Sequence, residues 1–364
     1  MENKKGNIKL SGLIIIILSI AILSVGGVIG YNLLSKPKDN VIDNNQEKND
    51  KKEEEIQVPP VEEKKPIKII NLDSKTRPYA VMINCHHQAL PQSGLQDAYI
   101  VYEIMVEYGI TRMMALFKDA PMSKVGSIRS LRNQYIGYAF ENDAIIVHAG
   151  GSAEADGRLA NEGINHVDVD GIYGVRDTAL RKVRAYEHTL FTNSTLLAKG
   201  VSDKKIRNTT EQKPLLNYSV DEVDLSKYQT KPVSKMSIKY SNYRTSQYNY
   251  DETKKVYHRS MNGVKNVDLV TGKQYEVKNI IAYGVKYTTY TDHGYYGYQR
   301  ISNIGTGEGY YITNGVALPI TWSKADEKSQ TIYKIKETGE DLVVNDGNTY
   351  IQIYPSNGGT LTIS

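Results

Sequence analysis

No charged residue occurs between Lys9 and Lys36, and the centre of that interval, Leu13-Ile14-Ile15-Ile16-Ile17-Leu18, is strongly apolar. The run covers residues 10–35, longer than the ~20 residues needed to cross a bilayer core. Lys4, Lys5 and Lys9 precede it, which favours a cytoplasmic N-terminus and a chain exported beyond the membrane. The expectation is a cytoplasmic tail over 1–9, a single-pass anchor over 10–35 and extracytoplasmic domains after it. A cleaved signal peptide is the competing reading, although its apolar region is ordinarily ~7–15 residues and ends in a small-residue cleavage site.

Residues 36–68 change character. Asp39 to Asp50 is mostly polar, Lys51-Lys52-Glu53-Glu54-Glu55 is a charge block, and Pro59-Pro60 and Pro66 interrupt any helix. Such a segment buries too little to fold and reads as a disordered tether.

The remainder is long enough for two folded units. Composition excludes several classes. There are 45 Lys+Arg against 41 Asp+Glu, a net charge of +4, too weak for the concentrated basic face that nucleic acid requires. The one cysteine, Cys85, rules out an internal disulfide and a cysteine zinc cluster. Phosphate-loop, His-Glu-x-x-His and Gly-x-Ser-x-Gly motifs are absent. No metal and no cofactor is expected. With 28 Tyr against 3 Phe and 1 Trp, half-exposed β surfaces are expected.

From residue 69 to 232 short apolar runs alternate with helical stretches, which predicts an α/β or α+β first domain. Tyr79 to Asn84 and Ala144 to His148 read as buried strands, Tyr99–Val106 and Thr111–Phe117 as a hairpin turning at Gly109, and Ser130 to Asn142 as a helix. From 233 to 364 the pattern is Tyr-rich and punctuated by Asn262-Gly263, Thr271-Gly272, Asn314-Gly315 and Asp346-Gly347. That predicts a smaller, mostly antiparallel β domain. The glycine-rich Gly305-Thr306-Gly307-Glu308-Gly309 reads as a turn.

The candidate chemistry lies in the first domain. Glu103 and Glu107, four apart, share a face. Paired carboxylates are what glycosidic cleavage uses, one as acid with a raised pKa and one ionised. A structural Glu–Arg network with Arg112 as partner explains them equally. Arg129 and Arg132 at a predicted helix entry, then Arg176, offer anion or carboxylate sites. His148 ends an apolar strand, where α/β folds place ligands, and His188, His86 and His87 are further candidates. Cys85 reads as a buried thiol. Tyr295-Tyr296-Gly297-Tyr298 offers either a stacking surface or cross-strand pairs.

The run Arg77 to Asn84, then Pro91-Gln92-Ser93-Gly94-Leu95, and Asp97 to Arg112 resemble the YerB family of Gram-positive envelope proteins. So do Lys124 to Arg132, His148-Ala149-Gly150-Gly151-Ser152, Tyr186 to Thr192, Ile320 to Lys324 and Asn345 to Thr349. The resemblance implies two domains and an extracytoplasmic setting, and it implies no activity. Members are commonly lipoproteins, whereas this chain carries an apolar span where they carry a lipidated cysteine.

Two functions follow as expectations. The first is a membrane-anchored protein that cleaves or binds peptidoglycan glycan strands, as a glycosidase or lytic transglycosylase if it is an enzyme. Glu103 or Glu107 would be the acid/base and His148 the relay, with Arg112, Arg129, Arg132, Arg176 and His188 holding substrate. The second is a non-catalytic module that binds a wall polymer or an envelope protein. It requires the glutamates and arginines to satisfy one another internally. A transporter's solute-binding protein is a weaker third reading.

Overall fold

The computed structural model describes residues 66–291 and 297–364. The predicted tail 1–9, the apolar run 10–35 and nearly all of the tether 36–68 lie outside them, as do Tyr295 and Tyr296. Among the described residues no helix is long and apolar enough to cross a membrane. The described residues form one compact unit. It begins where Ile67 and Ile69 pack against the core and the amides of Lys68 and Ile69 donate to Asp346, at 2.8 and 3.0 Å.

Apolar strands rather than helices organise this unit. A twelve-stranded sheet runs in the order Lys231–Pro232, Val316–Lys324, Gly305–Thr313, Asn279–Thr289, Thr349–Pro355, Ile100–Met105, Thr111–Phe117, Tyr79–Asn84, Ile145–His148 and His166–Asp168, with Gln299–Ser302 and Ile332–Ile335 paired alongside. The hairpin turning at Gly109 is present: strands 100–105 and 111–117 pair antiparallel, and Gly109 has φ 77°. Strands 79–84 and 145–148 fall where their apolar runs predict, and both are buried.

A second sheet contains Lys235–Lys239, Thr245–Asp251, Val256–Met261 and Thr360–Ile363, with short additions at Val264–Lys265 and Glu276–Val277. Asn262-Gly263 and Asn314-Gly315 both adopt positive φ between antiparallel strands, the requirement that selects Asn-Gly in tight hairpins.

The prediction of an α/β or α+β first domain holds only in part, since the first region is not clearly α/β. The protein is mostly β, and its described helices are short: Ile136–Phe140, Ala153–Asn161 and Ser194–Asp203. The helix expected from 130 to 142 shrinks to a 3-10 turn, Asn133–Tyr135, running into the five residues 136–140. Its polar half is drawn instead into side-chain contacts. Nor do the two regions keep separate sheets, because strand 349–355 pairs in parallel with strand 100–105 on one side and strand 279–289 on the other.

Two smaller expectations also change. Residues 305–309 are strand, not turn. An added Cβ on Gly307 would sit 2.6 Å from Trp322 Nε1, and one on Gly309 would sit 2.5 Å from the Ala282 carbonyl, so these glycines let an indole and a backbone approach the strand. The tyrosines are largely interior rather than half-exposed. Tyr102, Tyr135, Tyr138, Tyr240, Tyr248, Tyr257, Tyr275, Tyr283, Tyr311 and Tyr350 are each less than 2% exposed. Several hydroxyls find interior partners, as when Tyr311 donates to Asn279 at 2.8 Å.

Candidate functional site

Strands 79–84, 145–148 and 166–168 are mutually parallel, so their C-terminal ends, Asn84, His148 and Asp168, lie along one side of the sheet. The first two strands pair only through Val81 and Val147 and then part. Segment 127–131 fills the gap. Asn84 N donates to the Ser127 carbonyl at 2.9 Å, Arg129 N to that of Met82 at 2.9 Å, and Ala149 N to that of Arg129 at 3.2 Å. Splayed carboxyl ends of parallel strands are where such sheets receive ligands, and Arg129 is seated there by backbone bonds alone.

The predicted site residues divide into three groups. Glu103 belongs to a sealed network. Its carboxylate meets Arg259 Nη2 at 2.9 Å, with both side chains 0% exposed. It also accepts from Thr111 Oγ1 at 2.7 Å and Ser246 Oγ at 3.0 Å. Arg259 continues to Asn266, Asn266 Nδ2 donates to Gln92 Oε1 at 3.0 Å, and Gln92 Nε2 donates to the Asn84 carbonyl at 2.7 Å. Every charge here has its counter-charge.

Glu107, Arg112 and Arg132 form the second group. Arg132 grips the carboxylate with two bonds, Nε at 2.9 Å and Nη2 at 2.7 Å, and Arg112 Nη2 adds a third at 3.2 Å. Burial alone would raise the Glu107 carboxyl, but the Arg132 hydrogen bonds and the charge of Arg112 hold it at about 2. Arg112 is pushed down to about 10, chiefly by burial and then by the charge of Arg132. It also donates to the Ser130 carbonyl.

The third group surrounds Asn84. Its Nδ2 lies 2.9 Å from His188 Nδ1, and its Oδ1 accepts from His86 N at 3.0 Å. The His86 and His188 rings stack, with centroids 5.0 Å apart and planes 10° from parallel, and His87 lies 4.3 Å from His86. Burial lowers both His86 and His188. The charge of Arg129 depresses each further, as do His87 and Arg244 at His86. The half-buried Arg129 guanidinium makes no hydrogen bond or ion pair with any described residue.

His148 and Arg176 lie outside these groups. His148 is 2% exposed, with Nδ1 2.8 Å from the Gly150 carbonyl and Nε2 2.8 Å from His166 Nδ1. Burial lowers His148 and brings His166 down to about 4. Arg176 pairs with Asp170 at 2.8 Å and stacks 3.5 Å over the Tyr186 ring. Cys85 is 1% exposed, and burial pushes its thiol to about 11, so it is an inert interior thiol. Among the described residues no cluster of His, Cys, Asp or Glu could hold a metal ion.

A separate cavity of about 690 Å³ is lined by Asp97, Lys124, Lys254, His258, Asp268 and Glu276, among others. Two of its lysines are matched, Lys124 with Asp177 and Lys254 with Glu276, each at 2.6 Å. None of the predicted site residues lines it.

Two participants escaped the sequence reading. Arg244 and Arg259 are 4% and 0% exposed and lie well over a hundred residues beyond the strands they serve. No local pattern marks them. His86, a candidate along with His87 and His188, follows strand 79–84 rather than lying on it, and its ring stacks on His188.

Comparison with known proteins fits this architecture. Residues 68–207 match the family described as "Protein of unknown function (DUF3048) N-terminal domain", and residues 236–351 match its C-terminal domain. The chain therefore belongs to the DUF3048 family, which includes YerB, and the family's two domains are the two regions that share the large sheet. It is 29% identical over 291 residues to "Putative lipoprotein YerB" of Bacillus subtilis (strain 168), covering 78% of this chain and 82% of that protein. The crystal structure of the Bacillus subtilis YerB protein superposes with a TM-score of 0.67 at 26% identity, covering 79% of this chain and 94% of that one.

Proposed function

We propose that this protein is a membrane-anchored, extracytoplasmic component of the cell envelope that binds a wall polymer without cleaving it. The relative's description as a lipoprotein supports the location, and the apolar run 10–35 supplies a single-pass helix as the anchor. In this reading residues 36–68 are the tether. Residues 69–232 carry the binding site, and residues 233–364 brace it. The polymer is peptidoglycan or an associated wall chain, and an envelope enzyme is the partner it serves.

The state of the glutamates carries the choice of binding over cleavage. A general acid for glycoside hydrolysis needs a carboxyl raised toward neutrality. Glu107 is held the other way, at about 2, by two guanidinium groups, and Glu103 is enclosed with Arg259. Arg129 and His86, both partly exposed, remain as groups able to face a ligand, with the buried His188 stacked on His86.

Incubating the full-length protein in detergent with purified wall tests this. Co-sedimentation without newly released sugar ends by mass spectrometry is the expected result. Release of muropeptides would overturn the non-catalytic reading, and absence of both binding and release would remove the wall polymer as ligand.

A further inference from the structure

The Asn84 neighbourhood gathers two arginines that make no ion pair with a described residue. Arg244 is 4% exposed, yet its only hydrogen bond goes to the Cys85 carbonyl, and its Nε is buried without a partner. The Arg129 side chain has no bonded partner among the described residues. Both cations act on His86. The nearest acid acting there is Glu187, which is exposed and carries no ion pair. Ser127 Oγ, beside Asn84 through the backbone, is buried and also unpartnered. A buried cation without a counter-charge is expensive, and a buried polar group without a hydrogen bond adds to that cost. Elsewhere the fold answers this expense with Glu103, Glu107 and Glu141. Here the described residues offer only the exposed Glu187, which acts on Arg129 and both histidines without bonding to them, and the shortfall sits at parted strand ends.

We propose that the cluster of Arg129, His86 and His188, backed by Arg244, is a binding site for a phosphate group. The inference deepens the binding reading above and rests on that reading's choice of the strand-end cluster. Three observations select the ligand's chemistry. The missing partner is an anion, because the unmatched groups are guanidiniums, and the His86 and His188 rings, engaged through Nδ1 by Gln88 N and Asn84 Nδ2, have Nε2 left to donate. The donors come from three separate segments, 84–88, 129 and 186–188, which suits a tetrahedral group with three or more acceptor oxygens better than the two coplanar oxygens of a carboxylate. Arg129 also presents the planar fork that binds phosphate oxygens in pairs.

The test uses the full-length protein in detergent, titrated calorimetrically with inorganic phosphate at constant ionic strength, with acetate as the carboxylate control. Saturable phosphate binding is expected in the wild type. A loss of at least tenfold is expected in Arg129→Ala, with a smaller loss in Arg129→Lys, which keeps the charge but not the fork. Thermal unfolding without ligand checks the fold. Because the Arg129 side chain makes no hydrogen bond or ion pair with any described residue, and its backbone bonds survive the substitution, the Arg129→Ala midpoint should stay level or rise. A fall of several degrees would show that the side chain is structural and overturn the proposal. So would undiminished phosphate binding in Arg129→Ala, no saturable phosphate binding in the wild type, or acetate binding as tightly as phosphate. Phosphate binding without retention on purified wall would sustain this proposal while removing the wall-polymer reading.

Discussion

Two arginine-rich neighbourhoods lie near the same strands and are finished in opposite ways. Around Glu103, an arginine from a distant strand, a threonine, a serine, an asparagine and a glutamine close a network in which each charge meets its opposite. Around Asn84, two guanidinium groups and two stacked imidazoles are brought together with no bonded carboxylate among the described residues. A completed network carries structure. An incomplete one, at the open end of parting strands, has capacity left for something that arrives from outside.

The comparison breaks first if the sealed network proves dispensable. Glu103→Ala strands Arg259 in a wholly buried position, an error that costs about 3–5 kcal/mol. The thermal midpoint should fall on the order of 10 °C, read by circular dichroism. A midpoint within a degree or two of wild type would refute the structural assignment of Glu103.

Lys324→Met makes the reciprocal test. It leaves Glu141, which is 0% exposed and accepts from Lys324 at 2.7 Å and Tyr102 at 2.6 Å, without its cation. The loss should be somewhat smaller than for Glu103→Ala, because Thr331 still donates to the carboxylate through both N and Oγ1.

Acid titration sharpens the position of Glu107. Its folded carboxyl sits at about 2 against an ordinary 4.5. The stabilisation is therefore fully present above pH ~4.5 and disappears as pH falls toward 2, on the order of 3 kcal/mol in all. In Glu107→Gln the pH-dependent fall across that window should be shallower by about one proton. Identical slopes would show that the Arg132 and Arg112 contacts do not hold the carboxylate.

The smallest effect belongs to the open neighbourhood. Arg129→Ala should leave unfolding stability within roughly 0.5 kcal/mol of wild type, as for surface changes away from special features.

How far these differences could be read in advance follows from the distance of each partner along the chain. Strand 79–84, the hairpin 100–117 and the two Asn-Gly turns are local events, written in neighbouring residues. The pairing of strand 100–105 with strand 349–355 has no local signature. Without it the two regions looked like separate layers and the first like α/β. The same distance hid Arg259 from Glu103. The grouping of the glutamates with arginines was legible, and Arg112 was identified as the nearby partner, yet it serves Glu107 while Glu103 takes a cation 156 residues away. Arg129 was legible as a basic residue at a predicted helix entry, and His188 as a further candidate histidine. That they are left unmatched is a property of the fold alone.

The central claim is that the strand-end cluster binds and the glutamates hold the fold. Retention on purified cell wall, measured side by side for wild type and Arg129→Ala, tests it most directly when both proteins have matching thermal midpoints. Wild type should sediment with the wall, Arg129→Ala should stay in solution, and neither should release glycan fragments. Equal retention of the two proteins, or fragment release by both, would contradict it.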